Sequence, residues 1–460
     1  MKDVIIVGGG LAGLSAAWRL KHHDILLLEA DNRIGGRVMS ERRSDYWLNW
    51  GGHVYAGEGS ATNDLFNSVG IASLPVPGIL TAMSLNGKLL KTGPVESYPF
   101  RVPMSWEARL SLVKAGAKVK ASVMRYGRVA KKKPHEDYTT WQQRILEFMN
   151  NKTFSDFTGR LPEDADAIFR PTVSRSTGDP EQISAGAGVG YFHTIWDKSS
   201  GLSRNVLGGP STLTDTIASI LGDNVQLGCE VTEVVQHTDH VTVTYKQDGV
   251  EYEEIAKYAV LTTPAPITNR IAVNLDKKIS AALSEVKYGP HVSAAFLTDE
   301  TTPQVWDNVY SFATPKKSFD ILIHSSNLIH AQNKRRKKGS SFMTFSPAGR
   351  GKALLDKTEE EIIDIYLNDL DSIFPNFSKY VVEAHVEKFP YGSAYIYPGR
   401  ADIQSDLTQP DKRLFLAGDY LGTLYTETAI QTGFTAAQHI NSYLNYSNST
   451  LNQSHLTDVK

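Results

Sequence analysis

Cysteine is almost absent from this chain. Its single thiol, Cys229, can close no disulfide within the molecule and cannot furnish a cysteine-rich zinc or iron–sulfur cluster. That scarcity predicts a reducing compartment rather than secretion. Long apolar runs are also lacking: no stretch approaches the roughly 20 residues that a membrane-spanning helix requires. The first 28 residues lack the basic, apolar and small-residue regions of a signal peptide. The expectation is a cytoplasmic protein whose contact with a membrane is peripheral at most. Charge of one sign is missing as well, since 48 Lys and Arg stand against 50 Asp and Glu, and no basic excess exists to attract nucleic acid. What remains is an ordinary globular mixture, 41% hydrophobic and 21% charged over 460 residues, enough for more than one packed core.

The most informative segment lies near the start. Val4 to Val7 is a short β-branched run, followed by Gly8-Gly9-Gly10-Leu11-Ala12-Gly13 and then by Leu14 to Leu20 with apolar positions at helical spacing. This reads as strand, tight turn and helix. Gly8 permits the turn, Gly10 lets backbone approach a pyrophosphate at the helix N-terminus, and Gly13 lets helix and strand pack closely. A second strand, Ile25 to Leu28, ends at Glu29, where an acid can accept hydrogen bonds from an adenosine ribose. A glycine-rich turn that binds no nucleotide would not need all four parts in this order.

Downstream, Arg33 and Arg37 flank Gly35-Gly36, a pair that can present backbone N–H groups to anionic oxygens. The run Glu29-Ala30-Asp31-Asn32-Arg33-Ile34-Gly35-Gly36-Arg37 resembles the signature of the flavin amine oxidase superfamily, which includes amine and amino-acid oxidases, porphyrinogen oxidases and carotenoid desaturases. Two later segments extend the resemblance. Gly208-Gly209-Pro210 opens a helix followed by strands Val225 to Leu227 and Val231 to Val235, and Leu414 to Ala417 leads through Gly418-Asp419 to a helix beginning near Thr426.

The resemblance implies non-covalent FAD. It places Gly8, Gly10, Leu11, Ala12, Gly13, Glu29, Ala30, Arg33, Gly36 and Arg37 at the cofactor, with the Val231 backbone at the adenine. It adds Gly51, Gly52 and His53 as a segment passing the flavin, Gly418 and Asp419 at the ribityl-phosphate portion, and Thr428 and Ala429 at a helix N-terminus whose dipole faces the ring. Cys229 falls on the adenine side, away from any covalent flavin link, and no metal site is assigned. The implied fold class is α/β: an FAD-binding Rossmann-like domain of the GR2 type, assembled from three segments, carrying an inserted α+β substrate-binding domain with a helical part. By this reading residues 1–75, 203–280 and 388–445 bind FAD, 76–202 and 281–387 bind substrate, and 446–460 form a flexible tail.

Periodicity predicts helices over Trp106 to Ser122, Tyr138 to Phe157 and Glu359 to Ile373, a strand over Val292 to Leu297, and a hairpin turning at Asp248-Gly249. The tail beyond Tyr443, rich in Asn and Ser, reads as frayed.

Amine oxidases of the family place two aromatic rings across the flavin. The candidates here are Tyr425 with Tyr395 or Tyr397, between which the residues give no choice. His53 is a possible acid–base group or hydrogen-bonded scaffold, and Tyr55 is a candidate for the substrate cavity. One departure stands out, because the strand position that carries a lysine in many amine oxidases is Ser293, while Lys287 and His291 are out of register and read as rim residues. The basic runs Lys131 to Lys133 and Lys334 to Lys338 read as solvated surface, or as docking sites for anionic lipid or substrate carboxylates. The expected function is hydride removal from a small-molecule amine onto FAD, with oxygen or another acceptor taking the electrons. A porphyrinogen oxidase or polyene desaturase is the alternative, and a non-catalytic FAD-binding protein is an alternative of another class. The oligomeric state stays open.

Overall fold

The computed structural model describes residues 1–196, 202–333 and 335–457. Two seven-stranded sheets organise it. In the first, Lys2–Val7 lies between Ile25–Leu28 and Val250–Leu261, all parallel, with Val225–Gln226 outside Ile25–Leu28 and Leu414–Leu416 pairing with Val250–Leu261. Ile25 to Leu28 are all buried, as a parallel strand covered on both faces must be. One face packs on the Leu11–Leu20, Ser211–Leu221 and Thr426–Thr457 helices through Leu14, Leu213 and Ile430. The other packs on Ala265–Ile271 and Lys277–Glu285 through Leu261, Ala265 and Leu283.

The Val250–Leu261 strand does two jobs. Its first half pairs antiparallel with Val241–Gln247 across a turn in which Asp248 and Gly249 both have positive φ (51° and 78°), the geometry a two-residue hairpin demands. Its second half, fully buried from Ala259 to Leu261, runs parallel to Lys2–Val7.

The second sheet runs in the order Val381–Ala394, Tyr288–Thr298, Ser341–Pro347, Ile321–His324, Ser311–Ala313, Ala82–Leu85 and Lys88–Leu90. It covers an aromatic core of Trp306, Phe342 and Phe374, closed by the Glu359–Ile373 helix. A separate helical cluster, Trp106–Ala130, Tyr138–Leu146, Glu163–Val173 and Ala185–Trp196, packs around Val119, Phe154, Phe169 and Val189.

Four expectations need adjustment. The helix predicted over Trp106 to Ser122 continues to Ala130, because Val119, Val123 and Tyr126 sustain a buried stripe. The helix predicted over Tyr138 to Phe157 ends at Leu146 and resumes as Phe154–Thr158, with Met149 at φ 50° between them. Residue 388, taken as the start of the third FAD segment, lies inside Val381–Ala394, whose pairing with Tyr288–Thr298 continues to Ala394. The last helix continues in the backbone through Thr457, past the expected frayed end.

Lys334 lies outside the described residues. Within the rest of its basic run Arg336 pairs with Glu300 (2.6 Å) and Asp307 (2.9 Å) and Lys337 with Asp45 (2.8 Å), while Lys338 is largely exposed. Among the described residues no helix is long and apolar enough to cross a membrane.

Candidate active site

The glycine turn joins Lys2–Val7 to Leu11–Leu20 with no spare room. Gly8 has φ 105°, and a Cβ on Gly13 would sit 1.9 Å from the Gly8 carbonyl oxygen. A Cβ on Gly10 would meet nothing, so this backbone borders open space at a helix N-terminus that no side chain caps. Such a terminus offers its N–H groups and its dipole to an anion. The Leu11 and Ala12 side chains are buried in the core, which leaves only their backbone to a cofactor.

Glu29 secures the turn. Its Oε2 accepts from the Gly9 N–H at 2.5 Å and its Oε1 from the Asp31 N–H at 2.9 Å. Its own carbonyl accepts from the Cys229 N–H (2.8 Å), which brings the Val231 segment alongside. The Val231 side chain is buried in the second core, and the pairing register shifts between Val231 and Glu233. Cys229 is buried, and burial raises its thiol pKa, as suits an inert core residue. Ala30 is exposed beside Glu29.

Arg33 donates to the Gly36 carbonyl (2.9 Å), which holds the Gly35-Gly36 loop in shape. Arg37 makes a two-point ion pair with Asp419, 2.8 Å at each contact, that ties the first segment to the last. Asp419 is therefore met first by an arginine.

Gly51 and Gly52 lie against the same bend. A Cβ on Gly51 would be 2.1 Å from the Arg37 carbonyl oxygen, and the Gly52 N–H donates to that oxygen at 2.9 Å. His53 follows, its Nδ1 2.9 Å from the Gly51 carbonyl, and burial together with Arg175 lowers its pKa so that the ring is neutral. Tyr55 does not face a cavity. Its ring is wholly buried edge-on against Phe66, because the short strand it starts packs onto the Ala61–Val69 helix.

At the last helix the Gly418 N–H donates to the Thr432 hydroxyl (3.0 Å). The Thr428 hydroxyl accepts from Tyr138 and from the Leu424 N–H, both at 2.9 Å, and the Ala429 N–H donates to the Tyr425 carbonyl. These groups expected at the cofactor are thus engaged in shaping the helix start. Glu427 does similar work, accepting from the Ala61 and Thr62 N–H groups (2.8 and 2.9 Å) and from the Thr62 hydroxyl (2.5 Å).

Beneath that helix start is a cavity of about 100 Å³ lined by Tyr425, Tyr191, Tyr126, Arg175, Ile396 and Leu424, among others. Tyr425 adopts φ 49°, a conformation bulky residues avoid, and its hydroxyl is buried. Its ring stacks on Tyr191 with centroids 6.1 Å apart and planes 24° from parallel. Burial pushes the Tyr425 pKa well up, with Tyr191 adding and Arg175 opposing.

Neither Tyr395 nor Tyr397 lines this cavity. Ile396 between them faces the cavity, while Tyr395 packs beside Gly178 and Tyr397 lies under the Lys287 ammonium (4.3 Å). The ring stacked on Tyr425 is that of Tyr191, from the Ala185–Trp196 helix, and the sequence carried no signal for it beyond helical periodicity. Arg175 was likewise missed.

Two polar groups on the Tyr288–Thr298 strand are orphaned. The Ser293 hydroxyl is fully buried without a hydrogen-bond partner, and both ring nitrogens of His291 are buried and unpaired. His291 is therefore no rim residue; it stacks on Phe389 at 4.4 Å, and burial, with Arg37, lowers its pKa to about 3. Lys287 is exposed, as expected. A larger open depression of about 860 Å³ at Gln236, His240, Tyr258 and Arg413 shares no residue with the glycine turn or the Tyr425 cavity.

The open backbone at Gly10, the uncapped helix end and the orphaned Ser293 and His291 side chains suit a large polar cofactor laid between the first sheet and the second. The chain belongs to the flavin containing amine oxidoreductase family, whose profile matches residues 11–441. It is 25% identical over 476 residues to the L-amino-acid oxidase of Crotalus adamanteus, covering 96% of this chain and 87% of the relative. It is 26% identical over 293 residues to amine oxidase [flavin-containing] A of Equus caballus, covering 59% and 51%. In fold it is similar to putrescine oxidase bound to putrescine (TM-score 0.76, 17% identity, 96% of this chain and 99% of that one). Cyclohexylamine oxidase from Brevibacterium oxydans is comparable (TM-score 0.75, 18% identity, 96% of this chain). The protein is an FAD-dependent oxidoreductase that oxidises amines.

Proposed function

We propose that the cavity under Tyr425 receives the amine-bearing carbon of the substrate. The observation that carries this reading is the left-handed Tyr425 at the start of the last helix, whose ring walls that cavity and stacks on Tyr191. FAD, when bound, supplies two-electron chemistry by accepting hydride from that carbon. Gly8, Gly10 and Gly13 would admit the pyrophosphate to the Leu11–Leu20 helix terminus, Glu29 the ribose and the Val231 backbone the adenine. The start of the last helix, beside Gly418, would turn its positive dipole to the ring.

The chain's own residues then bind and orient. Tyr425 and Tyr191 offer ring faces to an amine, and the neutral His53, held by the Gly51 carbonyl, is scaffold for the Gly51-Gly52 bend and not a charged acid. Apolar Ile145, Leu146, Ile396 and Leu424 exclude water around the substrate's remainder. No lysine stands at Ser293, so a small hydroxyl is the polar group there. A cytoplasmic setting is part of the same proposal, supported by a single, buried thiol.

The test is anaerobic mixing of the yellow protein with primary, secondary and polyamines and with L-amino acids. Bleaching of the oxidised flavin band is expected with at least one of these pools. Bleaching only by porphyrinogens or polyenes, or by none of them, would overturn the reading.

A further inference from the structure

The Trp106–Ala130 helix gives one face to the protein and leaves the other exposed along its length. Ala108, Leu112, Ala115, Val119, Val123 and Tyr126 are buried at helical spacing, and the larger of them pack in the cluster that holds Phe154, Phe157 and Val189. On the opposite side Trp106, Leu110, Val113, Ala117, Ala121 and Met124 fall within about 80° of arc. All six are apolar and all are exposed, with Trp106 80%, Leu110 72%, Met124 63% and Val113 42% accessible. Phe100, in the short Tyr98–Arg101 helix that precedes them, is 64% accessible. The stripe runs for about five turns, roughly 27 Å. A contiguous apolar face of that length on a soluble chain marks a surface that meets something else.

The borders of the stripe are basic. Helical spacing sets Arg109 and Lys120 along one edge, Lys114, Lys118 and Arg125 along the other, and Arg128 at its C-terminal end. Glu107 is the only acid of the helix. Lys131, Lys132 and Lys133 follow directly and are exposed. Two of these cations have partners in the protein, Lys120 in Glu96 (3.1 Å) and Lys118 in the Phe157 carbonyl. Lys114, Arg125, Arg128 and the three consecutive lysines make no ion pair among the described residues.

We propose that this face lies on an anionic lipid surface. Trp106, Leu110, Val113 and Met124 enter the headgroup boundary, and the flanking lysines and arginines, whose apolar stems can run beside the stripe, carry their charges out to the lipid headgroups. Both halves of the pattern enter the choice of partner. A nucleic acid would match the cations and leave the apolar stripe against phosphate and water. A second copy docked face to face would cover the stripe and oppose two sets of basic borders. An anionic bilayer matches both. The helix lies in the plane of that surface, since no helix among the described residues is long and apolar enough to cross it. Its buried side supplies Tyr126 to the Tyr425 cavity, which sets the proposed amine site about one helix diameter, roughly 10 Å, from the lipid.

Sedimentation of the holoenzyme with vesicles of phosphatidylcholine alone, and of phosphatidylcholine with about 30% phosphatidylserine, tests this. Pelleting with the anionic vesicles should exceed that with the neutral ones by about tenfold or more, and about 0.5 M salt should remove most of it. Trp106→Ser/Leu110→Ser takes away the apolar stripe, and Lys114→Glu/Arg125→Glu/Arg128→Glu reverses its border. Each variant should lower pelleting by about tenfold or more. All five positions are exposed, so flavin absorption and the urea midpoint should stay at their wild-type values.

A second arm reports which face makes the contact. Anionic vesicles whose phosphatidylcholine carries brominated acyl chains should quench part of the wild-type tryptophan fluorescence, and Trp106→Phe should still pellet and lose that quenching. Absence of pelleting with the anionic vesicles overturns the proposal. So do equal pelleting with neutral and anionic vesicles, pelleting that neither multiple variant weakens, and quenching that persists in Trp106→Phe. A concentration-dependent dimer that Trp106→Ser/Leu110→Ser abolishes would assign the face to a second copy and overturn it as well.

Discussion

Arg37 and Asp419, 382 residues apart in sequence, clasp each other through two parallel 2.8 Å contacts. The pair fastens the bend after the glycine loop to the strand end before the last helix, and both segments line the region assigned to the flavin. Arg37 is about a third exposed and Asp419 far less. Removing either partner leaves the other poorly matched, and partial exposure of the arginine moderates the cost to about 1–3 kcal/mol. Arg37→Ala and Asp419→Asn should both lower the urea midpoint and release FAD on gel filtration. The double variant should lose less than the sum of the two.

Tyr425 separates ring from hydroxyl. Its ring stacks on Tyr191, while its hydroxyl is buried and un-ionised. Tyr425→Phe should keep kcat/KM for the best amine within about fivefold, and Tyr425→Ala should lose about 100-fold or more with FAD still bound. Equal turnover by both variants would show that the ring does not orient substrate.

Glu427 is a helix-terminus clamp inside the active-site wall. Its carboxylate accepts two backbone N–H bonds and one hydroxyl bond from residues 61 and 62. Glu427→Gln replaces one acceptor oxygen by an amide that opposes those donors, at a cost of about 2–4 kcal/mol. Urea denaturation should register that loss as a lowered midpoint.

Acid should destabilise the fold through buried neutral histidines. Burial holds the pKa of His291 and of His324 down at about 3, against the model-compound value of 6.5. The unfolded chain therefore takes up these protons first as pH falls below 6.5, and the folded state does so only near 3. Their stabilising contribution is intact above pH 6.5 and is lost as pH falls from there toward 3, at up to about 1.4 kcal/mol per pH unit for each group. His324 stacks on Phe342 at 4.6 Å, so His324→Phe, which keeps an aromatic ring, should flatten the acid limb of a pH series of urea midpoints. An unchanged slope would assign acid sensitivity to other groups.

The features legible in the sequence are those that local backbone geometry enforces. Gly8 and Gly13 in the turn, Asp248-Gly249 in the hairpin and the apolar periodicity of the Glu359–Ile373 helix each declare themselves within a few residues. The features that stayed hidden are relations across the fold. Tyr191 acquires meaning only because its helix lies beside Tyr425. Tyr395 and Tyr397 were plausible as types, but alternation along an extended segment turned Ile396 to the cavity in their place. His291 read as a rim residue because a sequence cannot show that Phe345 and Phe389 enclose it.

The first sheet has a further consequence for how the protein comes into being on the ribosome. Lys2–Val7 finds one parallel neighbour within 30 residues, but its other, Val250–Leu261, emerges roughly 250 residues later, and Leu414–Leu416 later still. During synthesis the N-terminal strand and its glycine turn must wait with an open edge while the helical cluster and much of the second sheet are made. Such long-range pairing folds slowly and leaves nascent chains prone to misassociation. Late arrival of the Arg37 partner, Asp419, makes cofactor capture one of the last events in biogenesis.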